Sequence, residues 1–162
     1  LPTLHPDVVV VLDPGAAYAG LDAHVRAAML EVTDVWSSNA EEAEDVLRAL
    51  GREVPGDLAG LTTAIAPLLR GDAVAIVRDG PEGCAVHVGG ETTYVPGFPQ
   101  TPVDTNGAGD THTGALLAEV AAGTPWGEGC RRANAAAAIK VTRRGPESAP
   151  TAAEVDAFLA SR

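Results

Sequence analysis

One short segment of the chain combines small residues with carboxylates at a spacing that suits chemistry on a charged group. Residues 104–111 read Asp-Thr-Asn-Gly-Ala-Gly-Asp-Thr, and an Ala/Leu-rich stretch predicted to be a helix runs from 108 to 122. A helix start offers unpaired backbone N–H groups and the positive end of the helix dipole. Because glycines lack side chains, an anion can approach these groups closely. The segment therefore predicts a binding site for a phosphate-sized anion beside Asp110.

Phosphoryl transfer to an alcohol needs two functions side by side, and this segment can supply both. Backbone donors at Gly107, Ala108 and Gly109 would stabilise charge on the transferring group, while Asp110 would accept the proton of the hydroxyl. Short glycine motifs are common, however, and the same tetrapeptide suits an ordinary helix start with an acidic residue in its first turn. The tetrapeptide alone leaves both interpretations open.

Apolar patterning predicts strands that alternate with helices around this segment. Apolar runs predict buried strands at 7–12 and 73–77, and two further runs joined by a tight Gly-Gly turn predict a hairpin over 84–95. Periodic or alanine-rich apolar stretches predict helices at 21–32, 41–50, 58–69, 108–122, 126–142 and 151–159. Residues 34–37 form a short segment that leads into Asn39, with neither a strand nor a helix predicted there. The alternation indicates a three-layer α/β sandwich.

Composition limits the classes of protein and partner. A length of 162 residues suits one domain, here taken as 1–162. The 22 acidic residues outnumber the 11 basic ones, and the net charge of −11 disfavours nucleic-acid and anionic-membrane partners. The sequence has no apolar run near the ~20 residues that span a bilayer. Cys84 and Cys130 match no metal or redox spacing, so we expect a reduced, cytoplasmic setting.

Three blocks of the sequence resemble the motifs of one enzyme family. Residues 104–111, with the following Thr113-Gly114-Ala115-Leu116, resemble the D-T-x-G-A-G-D signature of the ribokinase-like (PfkB) carbohydrate kinases. Asn39-Ala40-Glu41-Glu42 is similar to the family's N-x-x-E motif, and residues 134–145 resemble its nucleotide-side helix and the loop after it. The resemblance implies a three-layer α/β/α sandwich with a mostly parallel sheet. It also implies transfer of the γ-phosphoryl of MgATP to a hydroxyl of a small sugar or sugar acid.

The resemblance further implies roles for individual residues. Asp110 would be the general base, and residues 107–109 would form the anion hole for the γ-phosphate. Glu42, with Asn39, would organise Mg²⁺ through its water shell. The positions that match nucleotide-contacting residues of the family are Asn39, Arg78, Gly80, Gly83 and Asn134. The positions that match its monovalent-cation site, typically for K⁺, are Asp104, Asn106, Val141, Gly145 and Ser148.

Several of these residues have a purely structural alternative. Asn39 and Glu42 could cap a helix, and Asp104 could be a turn residue. Asn134 could be solvent-facing or a hydrogen-bonding residue of the core. His112 follows the signature, where packing or a contact on the purine side is expected rather than catalysis.

Arg78 is a departure from the family pattern. It stands where the family commonly has the Thr of a T-x-G motif, and the glycines after it are kept. Its cation could pair with a nucleotide phosphate, or with Asp79 or Glu82 at the surface.

The resemblance covers only part of a family member. Full-length relatives carry an N-terminal half with a β-sheet lid that closes over the sugar and often dimerises, and no such segment precedes Leu1. We therefore expect the C-terminal portion of a kinase, with homodimerisation through the missing lid. The alternative is a non-catalytic nucleotide-binding fragment or truncated family member.

Overall fold

A computed structural model describes residues 8–162, in which five strands form a single sheet in the order β1-β2-β3-β4-β5. The strands are β1 (Val11–Leu12), β2 (Val35–Asn39), β3 (Val74–Arg78), β4 (Gly83–Val88) and β5 (Glu91–Pro96). The first three pair in parallel, and β4 is antiparallel to both of its neighbours. All strands of this sheet except β4 therefore run in one direction, as expected for a mostly parallel sheet.

Helices cover both faces of the sheet. They are α1 (Ala23–Val32), α2 (Ala40–Ala49), α3 (Leu58–Ile65), α4 (Ala108–Ala121), α5 (Trp126–Lys140) and α6 (Ala152–Ala160). The predicted three-layer α/β/α architecture is thus confirmed. Within residues 8–162, each helix is too short or too polar to cross a bilayer.

The central strand β3 divides the core into two halves because its side chains alternate between the faces. Ala75 and Val77 pack into a cluster with α2 and α3, whereas Val74 and Ile76 pack against α4 and α5. All residues of β3 are buried, Arg78 included. Both helical layers therefore pack on β3, the strand that ends at Arg78.

Most of the predicted elements are present with small shifts at their ends. The hairpin and the helices are confirmed, although the helix predicted at 58–69 becomes a short 3₁₀ turn after residue 65. Two helix starts carry a capping box, with Asn39 as the N-cap of α2 and Thr151 as the N-cap of α6. The strand predicted at 7–12 is shorter than expected, and its first residue lies outside the described residues.

No strand is predicted at residues 34–37, but Val35–Asn39 forms the strand β2 between β1 and β3. Ser37 and Ser38 are polar residues of this strand, but both are fully buried and hydrogen-bonded. The Trp36 indole N–H donates to Ser38 Oγ at 2.9 Å, and Ser37 Oγ lies 2.9 Å from Thr113 Oγ1 of α4. Paired hydroxyls are tolerated in a core, so polarity alone does not exclude a central strand.

Candidate active site

The residues singled out by sequence gather at one edge of the sheet. Asp13 follows β1, Asn39 ends β2 and Arg78 ends β3, so the parallel strands bring these polar side chains together. The start of α4 faces the same edge. A cavity of about 830 Å³ lies between them, and its lining includes Asn39, Arg78 and residues 107–110. The topology therefore places the predicted anion site in an open cleft.

The loop before α4 leaves backbone donors available at the helix start. Gly107, with φ of 76°, occupies the left-handed region that glycine adopts readily, and it accepts from the Thr111 N–H at 2.9 Å. The Ala108 N–H donates to the Thr105 carbonyl at 3.1 Å and is committed to the turn. Within residues 8–162, the N–H groups of Gly107, Gly109 and Asp110 have no backbone partner. Three donors therefore remain for an anion, and Ala108 contributes chiefly its small side chain.

Asp110 lies in the first turn of α4 and lines the cavity. Its side chain is exposed, and no residue of the described chain donates a hydrogen bond to its carboxylate. The carboxylate is therefore free to accept a proton from a group bound in front of the helix.

Arg78 carries a buried positive charge into this site. Only 9% of the residue is exposed, and its Nη2 lies 3.0 Å from Asp13 Oδ2. Its Nε donates to the Ser38 carbonyl at 3.1 Å, and Nη2 also reaches the Ser37 carbonyl at 3.3 Å. The expected surface pairing with the neighbouring acidic residues after β3 is therefore wrong, because the guanidinium turns inward to the carboxyl edge of the sheet.

The third nitrogen of that guanidinium points toward the predicted anion hole. A Cβ placed on Gly109 would come within 2.6 Å of Arg78 Nη1. Among residues 8–162, Nη1 has no hydrogen-bond partner, whereas Nε and Nη2 both have one or more. Glycine at position 109 thus leaves room for a fixed cation with one free donor beside the start of α4.

Asn39 and Glu42 do cap a helix, as the structural alternative expects. Asn39 Oδ1 accepts from the Glu42 N–H at 2.7 Å, and Glu42 Oε2 accepts from the Asn39 N–H at 2.9 Å. Both residues also line the cavity. Capping uses only one carboxylate oxygen of Glu42, so Oε1 remains available to a water of a hydrated Mg²⁺. The donor set fits a magnesium ion held by one carboxylate, waters and phosphate oxygens.

Gly80 lies in the turn between β3 and β4, Gly83 begins β4, and both line the same cavity. A side chain at Gly83, whose φ is 109°, would collide with the Val95 carbonyl of β5. Gly80 has a φ of 49° and open space around its Cα. The close approach of β5 therefore accounts for Gly83, while Gly80 leaves its side of the cavity unobstructed.

Asn134 connects α5 to β5 at the inner wall of the cavity. Its amide donates to the Val95 and Pro96 carbonyls, each at 3.1 Å, and its Oδ1 lies 3.1 Å from His112 Nε2. Because the amide donates elsewhere, Nε2 of His112 must be the donor in that pair. His112 is 3% exposed, which agrees with a packing role. The polar atoms of Asn134 are thus engaged within the protein.

The predicted monovalent-cation residues do come together in two adjoining loops. Asp104 Oδ1 accepts from the Asn106 N–H and Oδ2 accepts from the Gly145 N–H, both at 3.0 Å. These hydrogen bonds hold the pKa of the Asp104 carboxyl below its usual value. The carboxylate therefore acts as the turn residue that the structural alternative expects.

Two carbonyl oxygens of these loops, those of Val141 and Gly145, are also engaged. Val141 O accepts from the N–H groups of Val103 at 2.7 Å and Asp104 at 3.1 Å. Gly145 O accepts from Ser148 Oγ at 2.7 Å. A potassium ion needs several oxygen atoms with free lone pairs, and two N–H donors already satisfy Val141 O. The residues assemble as expected, but two of their carbonyl oxygens are already committed to hydrogen bonds within the loops.

Two residues that the sequence interpretation missed belong to this edge. Asp13 holds Arg78, and Lys140 is a fully buried lysine whose Nζ donates to the Asp104 carbonyl at 3.2 Å. Asp13 could have been found, because a carboxylate that directly follows a predicted parallel strand lies at the ligand-binding edge. Lys140 gave no such signal, since lysine at the end of an alanine-rich helix is normally exposed.

Comparison with known proteins agrees with this arrangement. A family model described as pfkB family carbohydrate kinase matches residues 8–152. Ribokinase of Haemophilus influenzae is 31% identical over 153 residues, which are 94% of this chain and 47% of that protein.

Solved structures of ribokinases are also similar to this chain. A ribokinase from Thermotoga maritima gives a TM-score of 0.80 at 28% identity, over 95% of this chain and 50% of that one. A putative ribokinase II from Escherichia coli, in complex with ATP and Mg²⁺, gives 0.78 at 25% identity, over 95% and 49%. The chain spans about half the length of these relatives. With its fold, its signature loop and these matches in agreement, the chain belongs to the pfkB family of carbohydrate kinases.

Proposed function

We propose that this chain forms the nucleotide-binding and base-bearing portion of an ATP-dependent kinase that phosphorylates a hydroxyl of a small sugar or sugar acid. The observation that carries the proposal is the start of α4. There, unpartnered N–H groups and the exposed Asp110 carboxylate open into one cavity. Donors for a transferring phosphoryl group and an acceptor for a proton thus lie within one helical turn.

The chemistry follows from this juxtaposition. The N–H groups of Gly107, Gly109 and Asp110 would donate to oxygens of the γ-phosphoryl group, where negative charge is redistributed during transfer. The Asp110 carboxylate would take the proton of the acceptor hydroxyl as its oxygen forms a bond to phosphorus and the bond to ADP breaks. Positioning and charge stabilisation would supply most of the rate enhancement.

Two side chains would complete the phosphate site. Arg78 would donate from Nη1 to the terminal phosphate, since its other nitrogens are held by Asp13 and by carbonyls of β2. Glu42 and Asn39 would hold the water shell of Mg²⁺ at the end of β2. When bound, the metal supplies charge neutralisation between the phosphates. The E. coli ribokinase II relative, described in complex with ATP and Mg²⁺, supports this pairing of ligands.

The nucleotide would extend along the wall formed by the β3–β4 turn and α5. Gly80 and Gly83 leave that side open, and Asn134 borders it. Since the polar atoms of Asn134 have internal partners, we assign it to the shape of the nucleotide pocket rather than to a direct hydrogen bond. A cytoplasmic location is proposed on the free, buried thiols of Cys84 and Cys130.

A second candidate function is nucleotide binding without catalysis, because the chain spans about half the length of its relatives. We propose that an acceptor site and a lid-mediated homodimer would require segments outside the part of the relatives that this chain matches.

Calorimetric titration with MgATP, combined with a coupled assay of ADP release, separates the two functions. The assay uses the complete gene product and a panel containing ribose, fructose, a keto-deoxy sugar acid and a nucleoside. The proposal predicts binding of MgATP and ADP release that depends on one class of acceptor. Binding heat without acceptor-dependent ADP favours the non-catalytic function, and a lack of any MgATP binding contradicts both.

A further inference from the structure

Lys140, the last residue of α5, holds a positive charge inside the protein. None of its surface is exposed, and its Nζ donates to the Asp104 carbonyl at 3.2 Å. Among residues 8–162, no carboxylate lies within ion-pair distance of this ammonium. A buried ammonium is costly unless oxygen atoms or dipoles compensate its charge, so its surroundings must supply that compensation.

The surroundings of Lys140 are electronegative. Lysine in the last turn of a helix meets the negative end of the helix dipole. The Asp104 carbonyl accepts from Nζ, and the Asp104 carboxyl lies near enough that the ammonium contributes to its lowered pKa, after the hydrogen bonds from Asn106 and Gly145. The ammonium thus occupies the junction between the loop that leads into α4 and the loop that follows α5.

This junction is the place where the expected monovalent cation would bind. Two of its intended carbonyl ligands already accept hydrogen bonds, since Val141 O accepts two N–H groups and Gly145 O accepts the N–H and the hydroxyl of Ser148. The Asp104 carboxylate accepts two further N–H groups. A positive charge is present in the junction, but it belongs to the chain itself.

We infer that the ammonium of Lys140 takes the place of the monovalent cation and that this chain needs no K⁺. The ammonium fixes Asp104, which lies three residues before Gly107, and so holds the loop that presents the anion-binding N–H groups. The consequence for phosphate binding rests on the proposed function. The position of the charge rests only on contacts within the chain.

Thermal unfolding in different salts tests the inference without any nucleotide. The chain and its Lys140→Ala and Lys140→Met variants are unfolded in about 100 mM choline chloride, NaCl or KCl at constant ionic strength. We expect the unmodified chain to unfold at the same temperature in all three salts. In Lys140→Ala the vacated space leaves the Asp104 carbonyl open to an ion, so KCl should raise the midpoint by about 3 °C over choline. Lys140→Met fills that space with an apolar side chain and should show no such rise.

A potassium-specific rise of several degrees in the unmodified chain overturns the inference. An equal response of Lys140→Ala to KCl and choline also overturns it. If Lys140→Ala does not fold, the arm with the unmodified chain still decides, since it requires no substitution. The unfolding measurement contains no ATP, so a result that overturns the role of Lys140 leaves the proposed kinase function intact. Likewise, a failure to bind MgATP would overturn the proposed function without affecting the unfolding result.

Discussion

The guanidinium of Arg78 lies against the Cα of Gly109, so close that a β-carbon at position 109 would come within 2.6 Å of Nη1. The two residues belong to β3 and α4, on opposite sides of the cleft edge. Asp13 and two carbonyls of β2 hold the guanidinium in this position. The contact ties a fixed cation to the helix start that is proposed to bind the terminal phosphate.

Gly109→Ala is predicted to disturb this contact. Because Arg78 is buried and held by three partners, it cannot move aside freely, and we expect a loss of about 1–3 kcal/mol in the free energy of unfolding. Gly114→Ala is the matched control on the same helix, since a Cβ there meets nothing within 4 Å. Alanine is the better helix former, so the control should stabilise by up to ~1 kcal/mol. Urea unfolding measures both, and equal stability changes in the two variants would contradict the packing account.

Arg78→Gln is predicted to weaken MgATP binding more than ADP binding. A hydrogen bond from a charged donor contributes about 1.5–3 kcal/mol, so loss of Nη1 should cost about tenfold or more in affinity for ATP and much less for ADP. Arg48→Gln, which removes an exposed guanidinium paired with Glu44, is the control. Calorimetry gives both constants for each variant.

A comparison of Arg78→Lys with Arg78→Gln separates a direct contact with the terminal phosphate from a purely structural role of Arg78. Arg78→Lys keeps the charge but cannot reproduce the forked contacts, so its preference for ATP over ADP should be intermediate. If Arg78→Gln binds ATP and ADP with equally reduced affinity, Arg78 is a structural tie to Asp13 and does not contact the terminal phosphate.

The sequence was most informative where local pattern determines structure. The hairpin, the capped helices and the glycine loop before α4 were predicted because turn chemistry, capping residues and periodicity act over a few positions. The strand β2 was missed because Ser37 and Ser38 find hydroxyl partners that only the assembled fold supplies. The strand propensity of a serine carries no information about hydrogen-bond partners that lie far away in the sequence.

The parts of the site that escaped prediction depend on distant contacts. The inward turn of Arg78 requires Asp13, which is 65 positions away. The burial of Lys140 requires the loop at Asp104, 36 positions away. Each residue in isolation suits an exposed surface, and only the convergence of strand ends and loops gives it a buried partner.

Acid is predicted to weaken the attachment of α6 through Glu154. The hydrogen bond from Arg143, followed by those from Thr151, lowers the Glu154 pKa from 4.5 to about 2. A depressed carboxyl pKa contributes stability above the unfolded value, and that contribution is lost as the pH falls from about 4.5 through about 2. Glu154→Gln should therefore unfold at a lower temperature than the unmodified chain at pH 7 and at the same temperature near the folded pKa.

Thermal midpoints of Glu154→Gln and of the unmodified chain, measured between neutral and strongly acidic pH, show whether the two values become equal in acid. The exposed Glu53, for which the described residues provide no ion-pair partner, supplies the control Glu53→Gln. A difference between Glu154→Gln and the unmodified chain that stays constant over the whole pH range would contradict the assigned role of the carboxylate.

The most direct test of the proposed chemistry is acceptor-dependent ADP release by the complete gene product carrying Asp110→Asn. Asparagine keeps the size of the side chain and the backbone donors but cannot accept the proton, so kcat should fall by about 10³-fold. MgATP affinity should change by no more than about threefold, because the N–H groups that hold the phosphate remain. Glu128→Gln, in the first turn of the neighbouring helix α5, should retain full turnover. Turnover near the unmodified level in Asp110→Asn would remove Asp110 as the general base and contradict the account.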